Sequence, residues 1–147
     1  MSFLLGKRLT VTTNCNYEFR EIPLKSILII DDDLMMLNAL TTLLDAEDYS
    51  TSTSRDGEEG IRSFREHKPD AVLLDLRLPS NNGIEVLKEI RRIDAKAKVI
   101  IITGYPSPEV KEEAMTNGAF FFYEKTRDVS ELLNAVKKAT NPSPSQT

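Results

Sequence analysis

The sequence contains few of the residues that build disulfides and thiolate metal sites. Cys15 is the only cysteine and His67 the only histidine among the 147 residues. A lone thiol cannot form an internal disulfide, and a zinc site normally needs several Cys or His ligands. The composition therefore excludes a disulfide-stabilised fold and a multi-cysteine metal centre. It is typical of a protein from a reducing compartment such as the cytoplasm.

Long apolar runs and an excess of positive charge are also absent. No run approaches the roughly 20 residues that cross a bilayer, and residues 1–9 are too short for a signal peptide and lack its cleavage pattern. The formal net charge is -4 and the isoelectric point is near 5.1, a balance that repels nucleic-acid backbones. We expect a soluble cytoplasmic protein with no membrane and no direct nucleic-acid partner.

Three regions differ in composition. Residues 24–140 form a core of the size of one domain, between an extension at residues 1–23 and a tail at residues 141–147. The tail predicts a disordered end or the start of a linker because it is rich in Asn, Pro and Ser. The extension predicts a strand, which a turn at residues 14–16 could fold into a hairpin, because apolar and polar residues alternate at Leu9, Val11, Cys15, Tyr17 and Phe19.

The core alternates predicted strands and helices. Continuous apolar runs at residues 26–30, 71–74 and 99–102 indicate strands covered on both faces, whereas residues 49–53 have the polarity of an edge strand. A fifth strand is predicted over residues 119–123, and amphipathic helices are predicted over residues 34–46, 57–67, 84–94, from 108 onward, and 129–139. Five such units predict an α/β, doubly wound, flavodoxin-like parallel sheet with the strand order 2-1-3-4-5.

Polar residues follow the predicted strands at one edge of this sheet. Asp31 and Asp32 end the first strand, Asp75 ends the third, Thr103 ends the fourth, and Lys125 follows the fifth. Three carboxyl groups that lie close together resist being ionised at the same time unless a cation lies among them. An oxygen-only cluster suits Mg²⁺, which keeps several waters and is often completed by a phosphate. The neighbouring Asp33 is predicted only to cap the first helix.

Four segments that carry these residues resemble the motifs of the response-regulator receiver family. They are Ile27-Leu28-Ile29-Ile30-Asp31-Asp32, then Leu73 to Pro79 with Gly83 following, then Ile101-Ile102-Thr103-Gly104, and finally Gly118-Ala119 leading to Lys125. The resemblance covers about four-fifths of the chain, and all four motifs occur in order at strand ends. It implies a phosphorylation-activated switch of two-component signalling, which is not an enzyme beyond its own phosphorylation and dephosphorylation.

The resemblance also implies a role for each residue. Asp75 would accept the phosphoryl group from a sensor histidine kinase or phosphotransfer protein. Asp32, Asp75 and the backbone carbonyl of Arg77 would hold Mg²⁺, with Asp31 acting largely through bound water. Thr103 and Lys125 would contact the phosphoryl oxygens.

The signal would leave through the fourth helix, fifth strand and fifth helix. Phe122 lies where the family often has an aromatic residue whose rotamer follows phosphorylation. Phe120, Phe121 and Phe122 cannot all face one core, because successive strand residues point to opposite sides. At least one is therefore predicted near the surface. The mixed charges around it suit a homodimer through this face. The alternative is that the extra ring simply packs under Val110 or Leu133.

The sequence departs from the family after Lys125, where Thr126 replaces a proline that commonly follows a cis bond. The Lys125-Thr126 bond could be trans, or cis under strain, and the reach of Lys125 depends on which. Arg77 and Tyr105 lie at family positions that influence hydrolysis of the acyl phosphate. Two other functions compete: a haloacid-dehalogenase-type phosphohydrolase, because Asp31 to Asp33 contains Asp-x-Asp, and a degenerate receiver that only docks a partner.

Overall fold

The structure, a computed structural model, describes residues 7–11, 19–78 and 82–141. Seven strands and five helices lie within these residues. The strands are β1 (Lys7–Val11), β2 (Phe19–Pro23), β3 (Ser26–Ile30), β4 (Ser50–Ser54), β5 (Ala71–Asp75), β6 (Val99–Thr103) and β7 (Phe121–Glu124). The helices are α1 (Leu34–Ala46), α2 (Gly57–His67), α3 (Gly83–Ile93), α4 (Pro108–Thr116) and α5 (Val129–Thr140).

Five of the strands form one parallel sheet in the order β4-β3-β5-β6-β7. Counted within the core, this is the predicted order 2-1-3-4-5. All residues of β5 and β6 are buried, as a strand covered by helices on both faces requires. The Ser/Thr-rich β4 lies at an edge, where two of its five residues are exposed and two more are partly exposed. The doubly wound, flavodoxin-like fold is therefore confirmed.

Helices cover the two faces of the sheet and enclose two apolar cores. One core joins α1 and α5 to the sheet through residues such as Leu40, Leu44 and Val136. The other joins α2, α3 and α4 to the opposite face through residues such as Phe64 and Ile90. This arrangement leaves the strand ends uncovered, which is where the polar residues lie.

Capping side chains mark the starts of three helices, and the cap predicted at Asp33 is among them. The side chain of Asp33 accepts hydrogen bonds from the first turn of α1, and Asp56 and Ser107 do the same for α2 and α4. The last strand starts two residues later than predicted. The amide of Ala119 still donates to the carbonyl of Ala114 in α4, so this residue belongs to the helix exit.

The extension contributes a separate two-stranded sheet. β1 and β2 pair antiparallel, from Lys7 opposite Pro23 to Val11 opposite Phe19. The predicted turn at residues 14–16, with Cys15 and Tyr17, lies outside the described residues, as does most of the tail. No helix in the described part of the chain is long and apolar enough to cross a membrane.

Candidate functional site

The predicted metal-binding and phosphoryl-binding residues lie at the same edge of the five-stranded sheet, whereas the predicted switch residue Phe122 lies within β7. Asp31 and Asp32 follow β3, Asp75 and Thr103 are the last residues of β5 and β6, and Lys125 follows β7. Parallel strands present their carboxyl ends at one edge, so residues from distant parts of the chain meet there. The edge contains a cluster of acids with one lysine across it.

The three acids of this cluster are close enough to share one cation. One carboxylate oxygen from each of Asp31, Asp32 and Asp75 lies within 4.8 Å of the others. Asp31 and Asp75 are 1% and 6% exposed, whereas Asp32 is exposed to solvent. Two buried carboxylates and one accessible carboxylate form a site that is open on one side, which a hydrated ion requires.

Lys125 bridges the two buried acids. Its Nζ lies 3.2 Å from Oδ2 of Asp75 and 3.3 Å from Oδ2 of Asp31. The Lys125-Thr126 bond is trans, as are the other peptide bonds of the described residues. The Lys125 amide donates to the carbonyl of Thr103 at 2.8 Å, which positions the start of the following turn. The side chain therefore reaches the acids without a cis bond.

Burial and charge shift the protonation equilibria of this group. Burial, reinforced by the charge of Asp75, raises the pKa of the Asp31 carboxyl from 3.8 to about 6, although the Asp33 amide opposes the shift. Burial alone would lower the pKa of Lys125, but the carboxylates of Asp75 and Asp31 outweigh it and raise that pKa. Lys125 therefore stays charged, and a cation at the site would relieve the repulsion on Asp31.

Backbone amides orient the functional side chains. The amide of Asp33 donates to Oδ1 of Asp31 at 2.9 Å, and that of Arg77 donates to Oδ1 of Asp75 at 3.0 Å. The amide of Tyr105 donates to Oγ1 of Thr103 at 3.0 Å. Thr103 is 2% exposed, and this bond still leaves its hydroxyl hydrogen available to a new acceptor.

Two contacts at this edge were not predicted from the sequence. The guanidinium carbon of Arg77 lies 3.7 Å from the centroid of the Tyr105 ring, so these two flanking residues stack on each other. Arg55 was missed altogether, and its Nη2 lies 3.4 Å from the backbone oxygen of Asp32. The sequence did contain a signal for Arg55: it directly follows β4, and a residue at that position reaches the same sheet edge.

The sequence profile of the response regulator receiver domain matches residues 27–137. The chain belongs to the response-regulator receiver family. This receiver domain is 34% identical over 114 residues to sporulation initiation phosphotransferase F of Bacillus subtilis, covering 78% of the chain and 92% of that protein. It is also 34% identical over 113 residues to regulatory protein AtoC of Escherichia coli, where it covers 77% of the chain but only 24% of the longer relative.

A solved structure has the same architecture. The chain resembles the CheX-CheY-BeF3-Mg complex from Borrelia burgdorferi with a TM-score of 0.75 and 30% identity, over 80% of this chain and 89% of that one. The family resemblance predicted from the motifs is thus confirmed. Receiver domains accept phosphoryl groups and bind Mg²⁺ at an acidic cluster. They interact with histidine kinases or phosphotransfer proteins. The oxygen-only donors of Asp31, Asp32 and Asp75 fit that ion.

Proposed function

We propose that this receiver domain accepts a phosphoryl group onto Asp75 from the phosphohistidine of a sensor kinase or phosphotransfer protein. The observation that carries the proposal is the meeting of three carboxylates with the ammonium of Lys125, which lies 3.2 Å from Asp75. Phosphoryl transfer needs mainly positioning and nearby positive charge. The P–N bond of the donor breaks, a P–O bond to Asp75 forms, and the departing imidazole needs no base from this chain.

The surrounding residues divide the work of binding. Asp32, Asp75 and the carbonyl of Arg77 would hold Mg²⁺, with Asp31 acting through bound water. When bound, this ion neutralises charge on the phosphoryl oxygens. The hydroxyl of Thr103 would donate to one oxygen, and Lys125 would exchange its contact with Asp75 for another. Because Lys125 follows β7, this exchange would link the end of β7 to the phosphoryl group instead of to the free Asp75 carboxylate. The domain would sense phosphorylation through that change.

An apolar surface beside the acids supports docking of a protein donor. Leu34 and Met35, the first two residues of α1, are 55% and 82% exposed. They lie directly after the acidic loop, where a donor must approach to reach Asp75. Exposed apolar side chains at such a place favour contact with a partner. A sensor kinase forms its phosphohistidine from ATP, which supports the cytoplasm as the compartment of this domain.

The output face would consist of α4, β7 and α5. Phe122 in β7 is half-buried and would change rotamer when Thr103 contacts the phosphoryl group. The face would then bind a partner, either another protein or a second copy of the chain. Beyond this switching we assign the domain only its own Mg²⁺-dependent phosphorylation and dephosphorylation.

Acetyl phosphate with Mg²⁺ tests the proposal, with intact-protein mass spectrometry as the readout. We expect a phosphoryl adduct on wild type that maps to Asp75 and is absent from Asp75→Asn. Lys125→Ala should still be labelled, but it should lose the change in the NMR spectrum that follows labelling. Steady release of phosphate without an adduct would instead indicate the phosphohydrolase, and no reaction at all would indicate a docking module.

A further inference from the structure

The turn between β7 and α5 carries Lys125 but no apolar side chain. It consists of Lys125, Thr126 and Arg127, and it is followed by Asp128, which caps α5. Thr126 and Arg127 are exposed to solvent. Thr126 is not a proline, so no ring restricts its φ angle. The turn therefore needs other contacts to keep the Lys125 ammonium beside the acids.

Two backbone hydrogen bonds hold the turn at its start and across its middle. The Lys125 amide donates to the carbonyl of Thr103 at 2.8 Å, and the Arg127 amide donates to the carbonyl of Glu124 at 2.9 Å. The side chain of Arg127 adds contacts of 3.3 Å to Glu124 and 4.0 Å to Glu131, but it is 58% exposed. Exposed ion pairs of this kind contribute little to stability. The end of the turn therefore depends on a further contact.

That contact comes from the buried side of β7. The hydroxyl of Tyr123 donates to the backbone oxygen of Arg127 at 2.7 Å. Tyr123 is 5% exposed, and its ring lies in the same core as Leu132 of α5. Burial, with the charges of Glu131 and Asp128, raises the pKa of this hydroxyl, so it keeps its proton at neutral pH. The bond therefore ties the end of the exposed turn to a side chain that the core holds in place.

We propose that Tyr123 is a positioning residue for phosphoryl transfer: its hydroxyl holds the Arg127 carbonyl and thereby keeps the Lys125 ammonium at Asp75. Lys125 lies two residues after Tyr123 and two before Arg127, so the bond closes the segment that carries the lysine on both sides. A charge stabilises a reaction best when it is held in place beforehand. The inference rests on the proposed function, in which Lys125 contacts the phosphoryl group on Asp75.

Tyr123→Phe tests this inference in the full chain, because it removes the hydroxyl and keeps the ring. Tyr49→Phe is the matched control. Tyr49 is 7% exposed, and its hydroxyl lies 3.3 Å from Oγ1 of Thr140. It precedes β4 and so lies at the amino ends of the strands, away from Lys125. Arg127→Ala is a second control, because it removes the exposed ion pairs and keeps the backbone oxygen that Tyr123 binds.

Three measurements separate the turn, the reaction and the stability of the fold. Hydrogen exchange followed by NMR gives the protection of the Lys125 and Arg127 amides, which reports the turn. The rate of Asp75 labelling by acetyl phosphate with Mg²⁺ reports the position of the ammonium. Urea denaturation gives the stability of each variant. Labelling is also measured for Tyr123→Phe in a Lys125→Ala background.

We expect Tyr123→Phe to lower the protection of both amides and the labelling rate by about fivefold each, the change that one ordinary hydrogen bond supports. Tyr49→Phe and Arg127→Ala should be labelled at the wild-type rate, even where urea shows that Tyr49→Phe is less stable. In the Lys125→Ala background, Tyr123→Phe should no longer change the labelling rate, because the side chain that it positions is absent.

Unchanged amide protection or an unchanged labelling rate in Tyr123→Phe would overturn the inference. An equal loss of rate in Tyr49→Phe, or in the Lys125→Ala background, would do so as well, because the effect would then not pass through Lys125. Wild type that takes no label at all contradicts the proposed function instead. The hold of Tyr123 on the turn is then judged by the amide protection alone.

Discussion

Burial changes the protonation of Asp31 in the folded state. Its carboxyl is buried and its pKa is raised to about 6 from 3.8. Because the folded state holds this proton more tightly than the unfolded state, the stabilisation is fully present below about pH 4 and is lost as the pH rises through about 6. At neutral pH and without metal, the folded protein therefore carries an unfavourable negative charge on Asp31, which is absent at acidic pH.

We predict that the free energy of unfolding in chelator falls by on the order of 2–3 kcal/mol between about pH 4 and pH 7. Asp31→Asn should remove most of this fall, since the uncharged asparagine side chain can still accept the hydrogen bond from the backbone N–H of Asp33. Urea titration at a series of pH values measures it. Asp32→Asn, which removes an exposed carboxylate of the same cluster, is the control and should keep the fall. Parallel curves for wild type and Asp31→Asn would refute the assignment.

The stack of Arg77 on Tyr105 also acts at the scale of single residues. Their amides are bonded to Asp75 and Thr103, so the stacked pair lies beside the proposed acyl phosphate. An exposed cation–π contact contributes about 0.5–1 kcal/mol. We infer that the pair limits the access of water to phosphorus.

We predict that Arg77→Ala and Tyr105→Ala each shorten the lifetime of the Asp75 adduct by up to about fivefold. The double variant should decay no faster than the singles, because both remove one contact. Decay of the adduct after removal of acetyl phosphate is the measurement. Tyr105→Phe keeps the aromatic ring, so its adduct should decay at the wild-type rate. If the Tyr105→Phe adduct were as short-lived as the Tyr105→Ala adduct, the result would argue against stacking.

At the scale of elements, α3 is packed against the loop that follows Asp75. A Cβ at Gly83 would lie 2.4 Å from the Cα of Leu76 and 2.9 Å from the Asp75 carbonyl oxygen. These are backbone atoms that cannot rotate away. The glycine therefore sets how closely the helix approaches the loop that holds Asp75 and the Arg77 carbonyl.

We predict that Gly83→Ala lowers the free energy of unfolding by about 1–3 kcal/mol and weakens Mg²⁺ binding, because the loop must shift. Gly104→Ala is the matched control, since its Cβ would meet only Cδ of Lys125 at 3.6 Å, an ordinary contact. Chemical denaturation and Mg²⁺ titration measure both effects. Equal stability and equal Mg²⁺ affinity of the two variants would contradict the packing argument.

The element β7 illustrates how a local pattern constrains a surface. Three consecutive phenylalanines were predicted to place at least one ring near solvent, and the structure leaves all three partly exposed. Phe120 and Phe121 pack against one core and Phe122 against the other. The strand alternation predicted the exposure, whereas the groove that the rings line depends on where α4 and α5 pack.

For the whole molecule, binding of Mg²⁺ should appear as added stability. An ion that binds only the folded state stabilises it by mass action, by about 2.7 kcal/mol at a hundredfold excess over its Kd. We predict a rise in the melting temperature with Mg²⁺ that Asp32→Asn abolishes. Differential scanning calorimetry measures it, with Asp94→Asn as a control acid outside the cluster. An unchanged melting temperature of wild type at that excess would mean that the acids do not form the site.

The architecture and the identity of the site residues could be predicted from the amino-acid sequence. Continuous apolar runs predicted the central strands, and Asp33 predicted the start of α1, because both signals are local in the sequence. The shared edge of Asp31, Asp75, Thr103 and Lys125 followed from one topological rule: parallel strands present their carboxyl ends together. These features need no knowledge of distances, so they could be predicted before the structure.

The contacts that those residues make with one another depend on long-range packing. The bridge from Lys125 to Asp31 joins positions 94 residues apart, and the distance between the two side chains depends on the packing of β5 and β6, the two strands that lie between β3 and β7. The trans bond at Thr126, the Arg77–Tyr105 stack and the contact of Arg55 depend equally on loops whose paths no local pattern specifies.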